Sequence, residues 1–352
     1  MSNIYKCENC GGNMEFNPKT QTLRCENCGN EIVIKNDESL IVEKAITDDV
    51  INSIKATEKT SHTMECKGCG AKIEVESTSS ATECPYCGLN YVLAEKQSEV
   101  IIPDGLVPFM FNKNDADTKL KDWVKGRFWA PNELKNLCQN DKIQGVYVPY
   151  WTFDADVRAE YTAKGGTEYT ETYEDSEGET QTRTKVRWTS VSGRVNKFID
   201  DYLVPASDKI NINLIGGLNS FDTKRLVSYS SEYISGYSAE CFNVNIKEAH
   251  EKAINGMTEE MKRLAERDVT GRKGYDRVKD TRVSPVFNDE TFKYVLLPIY
   301  STAYKYKDKI YQVLINGQTG EISGEYPKSA AKIAIAVIIV ILIIAIIFYF
   351  AR

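Results

Sequence analysis

The sequence predicts an α+β protein in three parts: small cysteine-paired modules first, a sheet-dominated α+β domain in the middle, and one apolar helix last. Three observations carry this. Eight of the ten cysteines fall in four C-x-x-C pairs near the front of the chain. Between residues 101 and 327, runs rich in β-branched and aromatic residues accompany stretches of helical periodicity. Residues 333–351 contain neither charge nor proline. With 352 residues, 42% hydrophobic and 27% charged, the chain has the apolar material for one sizeable core. Its net charge of −6 gives no general attraction to phosphate backbones or anionic lipid.

The pairs are Cys7/Cys10, Cys25/Cys28, Cys66/Cys69 and Cys84/Cys87, and an offset of 59 residues carries the first two onto the last two. The same offset matches Met14 with Ile73, Glu15 with Glu74 and Phe16 with Val75, so one module occurs twice. Zn²⁺ prefers four tetrahedral soft ligands, and each C-x-x-C turn presents two thiolates to one ion. A glycine follows the second cysteine of every pair (Gly11, Gly29, Gly70 and Gly88), where positive φ is commonly needed. We therefore expect zinc ribbons at 1–34 and 61–94, with two structural Zn²⁺ ions held by Cys7, Cys10, Cys25, Cys28, Cys66, Cys69, Cys84 and Cys87. Four thiolates would also suit a rubredoxin-like iron or an iron–sulfur cluster. Complete four-cysteine sets leave no open position for a catalytic zinc, and a redox C-x-x-C lacks its βαβ surround. The polar connector 35–60 carries Leu40, Ile41, Ala45, Ile46, Val50 and Ile54 in loosely helical spacing, and reads as a short helix or only a linker. Thiols kept for metal, in a chain that opens MSNIYKCENC with no signal peptide, indicate a reducing compartment and a cytosolic front end.

Residues 101–327 form the expected α+β cytoplasmic domain. After the lead-in VIIPDGLVPF, Asp115 to Phe128 reads as a helix with Leu120, Trp123, Val124 and Phe128 on one side, and Pro131 opens a second. GVYVPYWTFDADVRAEYTA and TKVRWTSVSGRV read as strands around a polar tip at Gly178, with Glu168 and Glu171 facing Arg183, Lys185 and Arg187 across the pair. Asn245 caps a helix running to Asp268, with Ala249, Ala253, Ile254, Met257, Met261, Leu264 and Ala265 on one face. FKYVLLPIYSTAYKY and the following hairpin, turning at Asn316-Gly317 or over the longer NGQTG loop, complete the sheet. The uncharged tail, residues 333–351, would rise about 28 Å as a helix, close to the hydrocarbon thickness of a bilayer. Lys328 and Lys332 precede it and only Arg352 follows, so the positive-inside bias makes it a tail anchor with the N-terminus cytoplasmic.

Catalytic patterns are sparse. His62 and His250 read as solvated or packed imidazoles, and no G-x-x-x-x-G-K-[ST], G-x-G-x-x-G or G-x-S-x-G occurs. Asp154 and Asp156, two apart on a strand, would share one face as an acid pair or, more simply, lie on an exposed strand face. Tyr147, Tyr150, Trp151 and Phe153, with Trp123, Phe128 and Trp129, read as core before ligand groove. Cys138 and Cys241 read as small buried hydrophobes. Ala330, Ala334 and Ala345 would let a partner helix approach closely. Residues 1–100 hold ten Lys plus Arg against sixteen Asp plus Glu, so nucleic acid is not an expected partner.

The phrases VKGRFWAPNEL, GVYVPYWTFDA, VSGRVNKFIDDYLVPAS and LINGQTGEISGEYP, between cysteine modules and a membrane segment, resemble the bacterial membrane-anchored TFIIB-type zinc-ribbon-containing proteins. That group also carries the label primosomal protein N′ / replication restart helicase, but the ATPase motifs are missing here and only the cysteine spacing is shared. The resemblance spans roughly Val107 to Pro327. It implies company with phage-shock protein A-type, SPFH and TPM-domain proteins in envelope-stress operons, and brings no catalytic residues. The expected function is thus a non-enzymatic, membrane-tethered adaptor. A nucleic-acid-associated membrane protein, tethering DNA or replication machinery, is the alternative, and an enzyme built on the aromatic groove and Asp154/Asp156 is a third reading.

Overall fold

Long β-strands with strict alternation set the architecture of the computed structural model. It describes residues 5–36, 41–47, 49–51, 54, 102–134, 143–174, 176, 178–207, 211–218, 221–240, 242–307 and 309–350. Of the second cysteine module it describes strand backbone alone, at 62–65, 72–75, 81–83 and 90–92. Cys66, Cys69, Cys84, Cys87, Cys138 and Cys241 lie outside the described residues, as does the side chain of His62.

The first module is a four-stranded antiparallel sheet in simple order, β1 (Tyr5–Lys6), β2 (Asn13–Asn17), β3 (Thr22–Cys25) and β4 (Glu31–Val33). The repeat read from the cysteines returns in the backbone. Tyr5 pairs with Met14, and 59 residues on, Met64 pairs with Ile73. Leu23 pairs with Ile32, and at the same offset Thr82 pairs with Tyr91. The connector contributes β5 (Lys44–Ala45), and the repeated strands are β6 (His62–Glu65), β7 (Lys72–Val75), β8 (Ala81–Glu83) and β9 (Asn90–Val92).

The main body is a mixed, nine-stranded sheet, as the α+β reading expects. Its spine is three long antiparallel strands, β11 (Gln144–Glu174) flanked by β12 (Thr180–Pro205) and β15 (Arg277–Tyr306). The free edge of β15 is taken in turn by β5, by the parallel β10 (Gly105–Leu106), and by β16 (Lys309–Asn316), which turns into β17 (Ile322–Gly324). Short strands β13 (Val227–Ser228) and β14 (Ser238–Ala239) finish the edges. Gly320, at φ +82°, donates its N–H to Asn316 O, so the last hairpin turns over the longer NGQTG loop.

The lower part of β11 is buried on both faces, which explains its unbroken apolar run. Farther along, Val157, Ala159, Tyr161 and Ala163 point inward while Arg158, Glu160, Thr162 and Lys164 face out. The inward row meets helix α2 (Ile246–Arg267), capped by Asn245, whose buried stripe is Ile246, Ala249, Ala253, Met257, Met261 and Ala265. The helix ends in a π turn at Asp268–Arg272, where Asp268 accepts from Tyr161 Oη and from the Arg272 guanidinium. Helix α1 (Lys113–Lys125) starts on an Asn112/Asp115 capping box and stops at Gly126, earlier than the sequence reading placed it. Phe128 therefore leaves the helix face and is exposed, a correction forced by the early stop. Leu134 N–H bonds to Pro131 O, the start of the turn that proline was expected to open, and 135–140 lie outside the described residues.

Three aspartates bend the spine. Asp201, Asp280 and Asp289 sit at positive φ, each beside a register shift between β11 and its neighbours. Aspartate tolerates the left-handed region better than the β-branched residues around it, and a bulged residue there increases strand twist. Last comes α3 (Ala330–Phe350), with none of its side chains buried; it is long and apolar enough to cross a membrane.

Candidate metal centre

Cys7 directly follows β1 and Cys25 ends β3, and each opens a matching turn. Gly11 donates its N–H to Cys7 O at 2.8 Å and Gly29 donates to Cys25 O at 2.9 Å, with φ of +71° and +73°. Cys7 N–H in turn bonds to Gly12 O and Cys25 N–H to Asn30 O, both at 2.8 Å. The glycines are needed because an L side chain is strained at that φ. The result is two turns with the same hydrogen bonds, whose sulfurs converge. All four Sγ atoms of Cys7, Cys10, Cys25 and Cys28 lie within 4.8 Å of one another, with Cys7···Cys28 at 3.6 Å and Cys10···Cys25 at 3.4 Å. A tetrahedral zinc with Zn–S near 2.3 Å sets its sulfurs about 3.8 Å apart, so the donor set fits a metal ion.

The electrostatics point the same way. Burial opposes ionisation of Cys7, but the backbone N–H groups of Cys10 and Asn9 and the neighbouring thiols outweigh it and lower its thiol to about 7. The Cys25 thiol is also lowered, chiefly by the Cys28 backbone N–H. Cys10 goes the other way. The Gly12 N–H favours its thiolate, yet Cys25 and Cys28 together raise it to about 12. Four thiolates this close cannot all ionise without a cation between them. Asn30 Nδ2 lies 3.9 Å from Cys7 Sγ, a supporting donor of the kind that orients thiolate ligands. Cys7 and Cys25 are buried, while Cys10 and Cys28 face solvent.

The cysteine module is seated on the main body. Phe16 packs edge-on against Tyr233 with centroids 5.2 Å apart and tilts against Tyr237. Tyr237 stacks on Phe109 at 4.3 Å, and Phe109 meets Tyr147 and Tyr300. This row of rings joins the ribbon to the sheet core. Around it, Phe16 N–H bonds to Ser235 O, Ser235 Oγ to Met14 O, and Gln21 Nε2 to Phe109 O. A cleft of about 860 Å³ remains beside the Cys25 turn, bounded by Glu15, Arg24, Lys113 and Tyr237.

The other candidates from the sequence fare differently. Tyr147, Tyr150, Trp151 and Phe153 are core, and Trp151 Nε1 donates to Val244 O at 2.9 Å. His250 lies 2.6 Å from Glu290 at the partly buried flank of α2. Glu171 pairs with Arg183 and Lys185 as expected, whereas Glu168 turns instead to Arg277 on β15. The expected exposed Asp154/Asp156 face is corrected. Asp156 pairs with Arg158, but Asp154 is only 2% exposed. It accepts from Asp201 N–H at 2.6 Å and from Thr291 Oγ1 at 3.1 Å, because the Asp201 bulge turns that N–H inward.

Asp154, Asp200 and Asp201 bring carboxylate oxygens close enough for a cation. The cation is already supplied by the chain. Lys293, itself 5% exposed, lies 2.8 Å from Asp201, 3.1 Å from Glu43 and 3.9 Å from Asp154. Burial alone would lower the Lys293 ammonium; Asp201, Asp154 and Glu43 outweigh it and raise it to about 12. Burial raises the Asp154 carboxyl, against the pull of Asp201 N–H and Lys293. The sequence signal for this cluster was faint: the acidic doublet Asp200-Asp201 between Phe198-Ile199 and Tyr202-Leu203-Val204, and a lysine inside FKYVLLPIY.

No family model matches the chain. It is 28% identical over 333 residues to the uncharacterized protein YdjG of Bacillus subtilis (strain 168), covering 94% of this chain and 92% of that one. No solved structure matches it.

Proposed function

We propose that this chain is a membrane-tethered, cytoplasm-facing zinc-ribbon adaptor that recruits partner proteins to the inner face of the membrane. The observation that carries the reading is the seated ribbon: the four-cysteine turns are locked to the α+β body through Phe16, while Cys10, Cys28 and the tips around them stay exposed. A rigid, exposed tip on a body attached to an apolar helix suits docking, since little conformational freedom is lost on binding. Zinc is the proposed ion from the all-thiolate donor set and its spacing, and its task there is to hold the fold of a module too small to stand alone. A second ion, on Cys66, Cys69, Cys84 and Cys87, follows from the repeated strand register. The cytoplasmic side proposed for the body is supported by Lys328 and Lys332, which precede the uncharged segment 333–351. Phage-shock protein A-type, SPFH and TPM-domain proteins are the proposed partners through the family resemblance.

Crosslinking in native membranes, with the full chain and a Cys10→Ser/Cys28→Ser variant side by side, tests this. The expected result is a defined set of membrane-scaffold proteins captured by the first and lost from the second, while both sediment with the membrane. Recovery of no partner, or of the same set by both proteins, would overturn the adaptor reading.

A further inference from the structure

The apolar helix does not hang from a loose tether. Pro327, just before it, is buried, and Tyr326 packs edge-on against Trp123 of α1 with centroids 6.0 Å apart. The Arg127 guanidinium lies 4.4 Å from the Trp123 ring centroid and 5.5 Å from that of Tyr326. The first turn of the helix is then gripped by the segment that follows α1. Ser329 N–H donates to Trp129 O at 2.8 Å. Lys332 Nζ donates to Phe128 O at 3.0 Å, to Ala130 O at 2.7 Å and to Asn132 Oδ1 at 3.1 Å. An ammonium has three protons, and all three find protein oxygens here.

This clasp fixes where two aromatic side chains lie. Phe128 is 70% exposed and Trp129 37% exposed, and they stand edge-to-face at 5.2 Å beside the first turn of α3. Two adjacent large rings left open to solvent on a loop need a reason, and the loop makes no use of them in the core. Residues 330–350 rise about 31 Å, the full hydrocarbon thickness of a bilayer, so the membrane surface must fall near Ala330. That is the level of Phe128 and Trp129. Rings with an apolar body and, in tryptophan, one polar N–H favour the headgroup layer. Lysine at the start of a membrane helix ordinarily snorkels toward water; Lys332 is satisfied by the loop, which lets the body sit directly against the lipid.

We propose that Phe128 and Trp129 form an interfacial wedge that inserts into the lipid headgroup layer where α3 enters it, and that the Lys332 clasp fixes the orientation of the α+β body on the bilayer. The proposal rests on α3 crossing the membrane. The partner is the lipid surface itself, and its continuity with the helix already placed there is what selects it over a protein partner.

The test uses the full chain reconstituted in phosphatidylcholine vesicles whose acyl chains carry bromine at shallow or at deep carbons, with tryptophan emission read for the wild type and for Trp129→Phe. Alkaline carbonate extraction of the same vesicles reports whether the chain is integrated. The expected result is quenching of the wild type that is stronger with shallow than with deep bromine, and loss of that quenching in W129F, with both proteins resistant to extraction. Equal quenching of the two integrated proteins, or none in either, would overturn the wedge while leaving the membrane helix standing. Release of both proteins by carbonate would overturn the membrane helix and the wedge with it. In a second variant, Phe128→Ser/Lys332→Met, the Trp129 emission should shift red as the clasp opens; an unchanged spectrum would refute the positioning role of Lys332.

Discussion

Lys293→Met removes the cation that, among the described residues, pairs with the buried Asp154 and Asp201 and with the exposed Glu43. At an effective dielectric of about 20, a unit pair at 2.8 Å attracts by about 6 kcal/mol, and one at 3.9 Å by about 4 kcal/mol. Desolvation of the charges cancels most of that in the intact protein. The variant loses the attraction but keeps the buried carboxylates, so it should be destabilised by about 3–5 kcal/mol at neutral pH. Urea unfolding of the full chain in mild detergent, followed through the buried Trp151, reads this. The pH dependence gives the sharper check. Burial already raises the Asp154 carboxyl, and removing Lys293 takes away the positive charge that lowers it. A carboxyl whose folded value is raised binds more protons in the folded state, so stability falls as pH rises through that value and recovers as pH drops. The deficit of K293M should therefore shrink on acidification, and Asp154→Asn added to it should restore part of the loss. In the wild type, the contribution of Lys293 is fully present below the ordinary lysine value of about 10.4 and is lost as pH rises through about 12. A K293M protein as stable as wild type at neutral pH, or one whose deficit grows in acid, would refute this account of the cluster.

Two further changes probe other parts of the fold. Cys25→Ser should cost one metal ion per chain and unfold the first ribbon, opening trypsin cleavage at Lys19 and Arg24 while the long-stranded body stays intact; metal analysis with limited proteolysis reads both, and unchanged metal content would exclude Cys25 as a ligand. Gly256→Ala would ordinarily gain about 1 kcal/mol of helix propensity. Here the added Cβ would lie 1.7 Å from Tyr202 Oη and 2.5 Å from its Cζ, so overlap should dominate by about 1–3 kcal/mol and lower the melting temperature, with Tyr202→Ala relieving the loss.

Local chemistry wrote much of this protein plainly. The C-x-x-C-G turns were legible because two thiolates at that spacing, followed by a residue free to take positive φ, specify a turn whatever surrounds it. The stripe on α2 and its Asn245 cap were legible for the same reason, since helical period and capping act within a few residues. So was the uncharged segment from Ile333 that makes up most of α3. The tertiary structure decided what lies between these pieces. Phe16 has the same pattern whether its ribbon floats or seats on Tyr233 and Tyr237. Asp154 and Lys293 read as ordinary strand residues until the Asp201 and Asp289 bulges and the Glu43 segment, 250 residues from Lys293 in sequence, close around them. Phe128 looked like helix core because its spacing from Leu120 and Val124 fits, yet the helix stops two residues short of it. Pairing between distant segments depends on which strand edges meet. That choice is made by the summed burial of the whole sheet, and no window of neighbouring residues contains it.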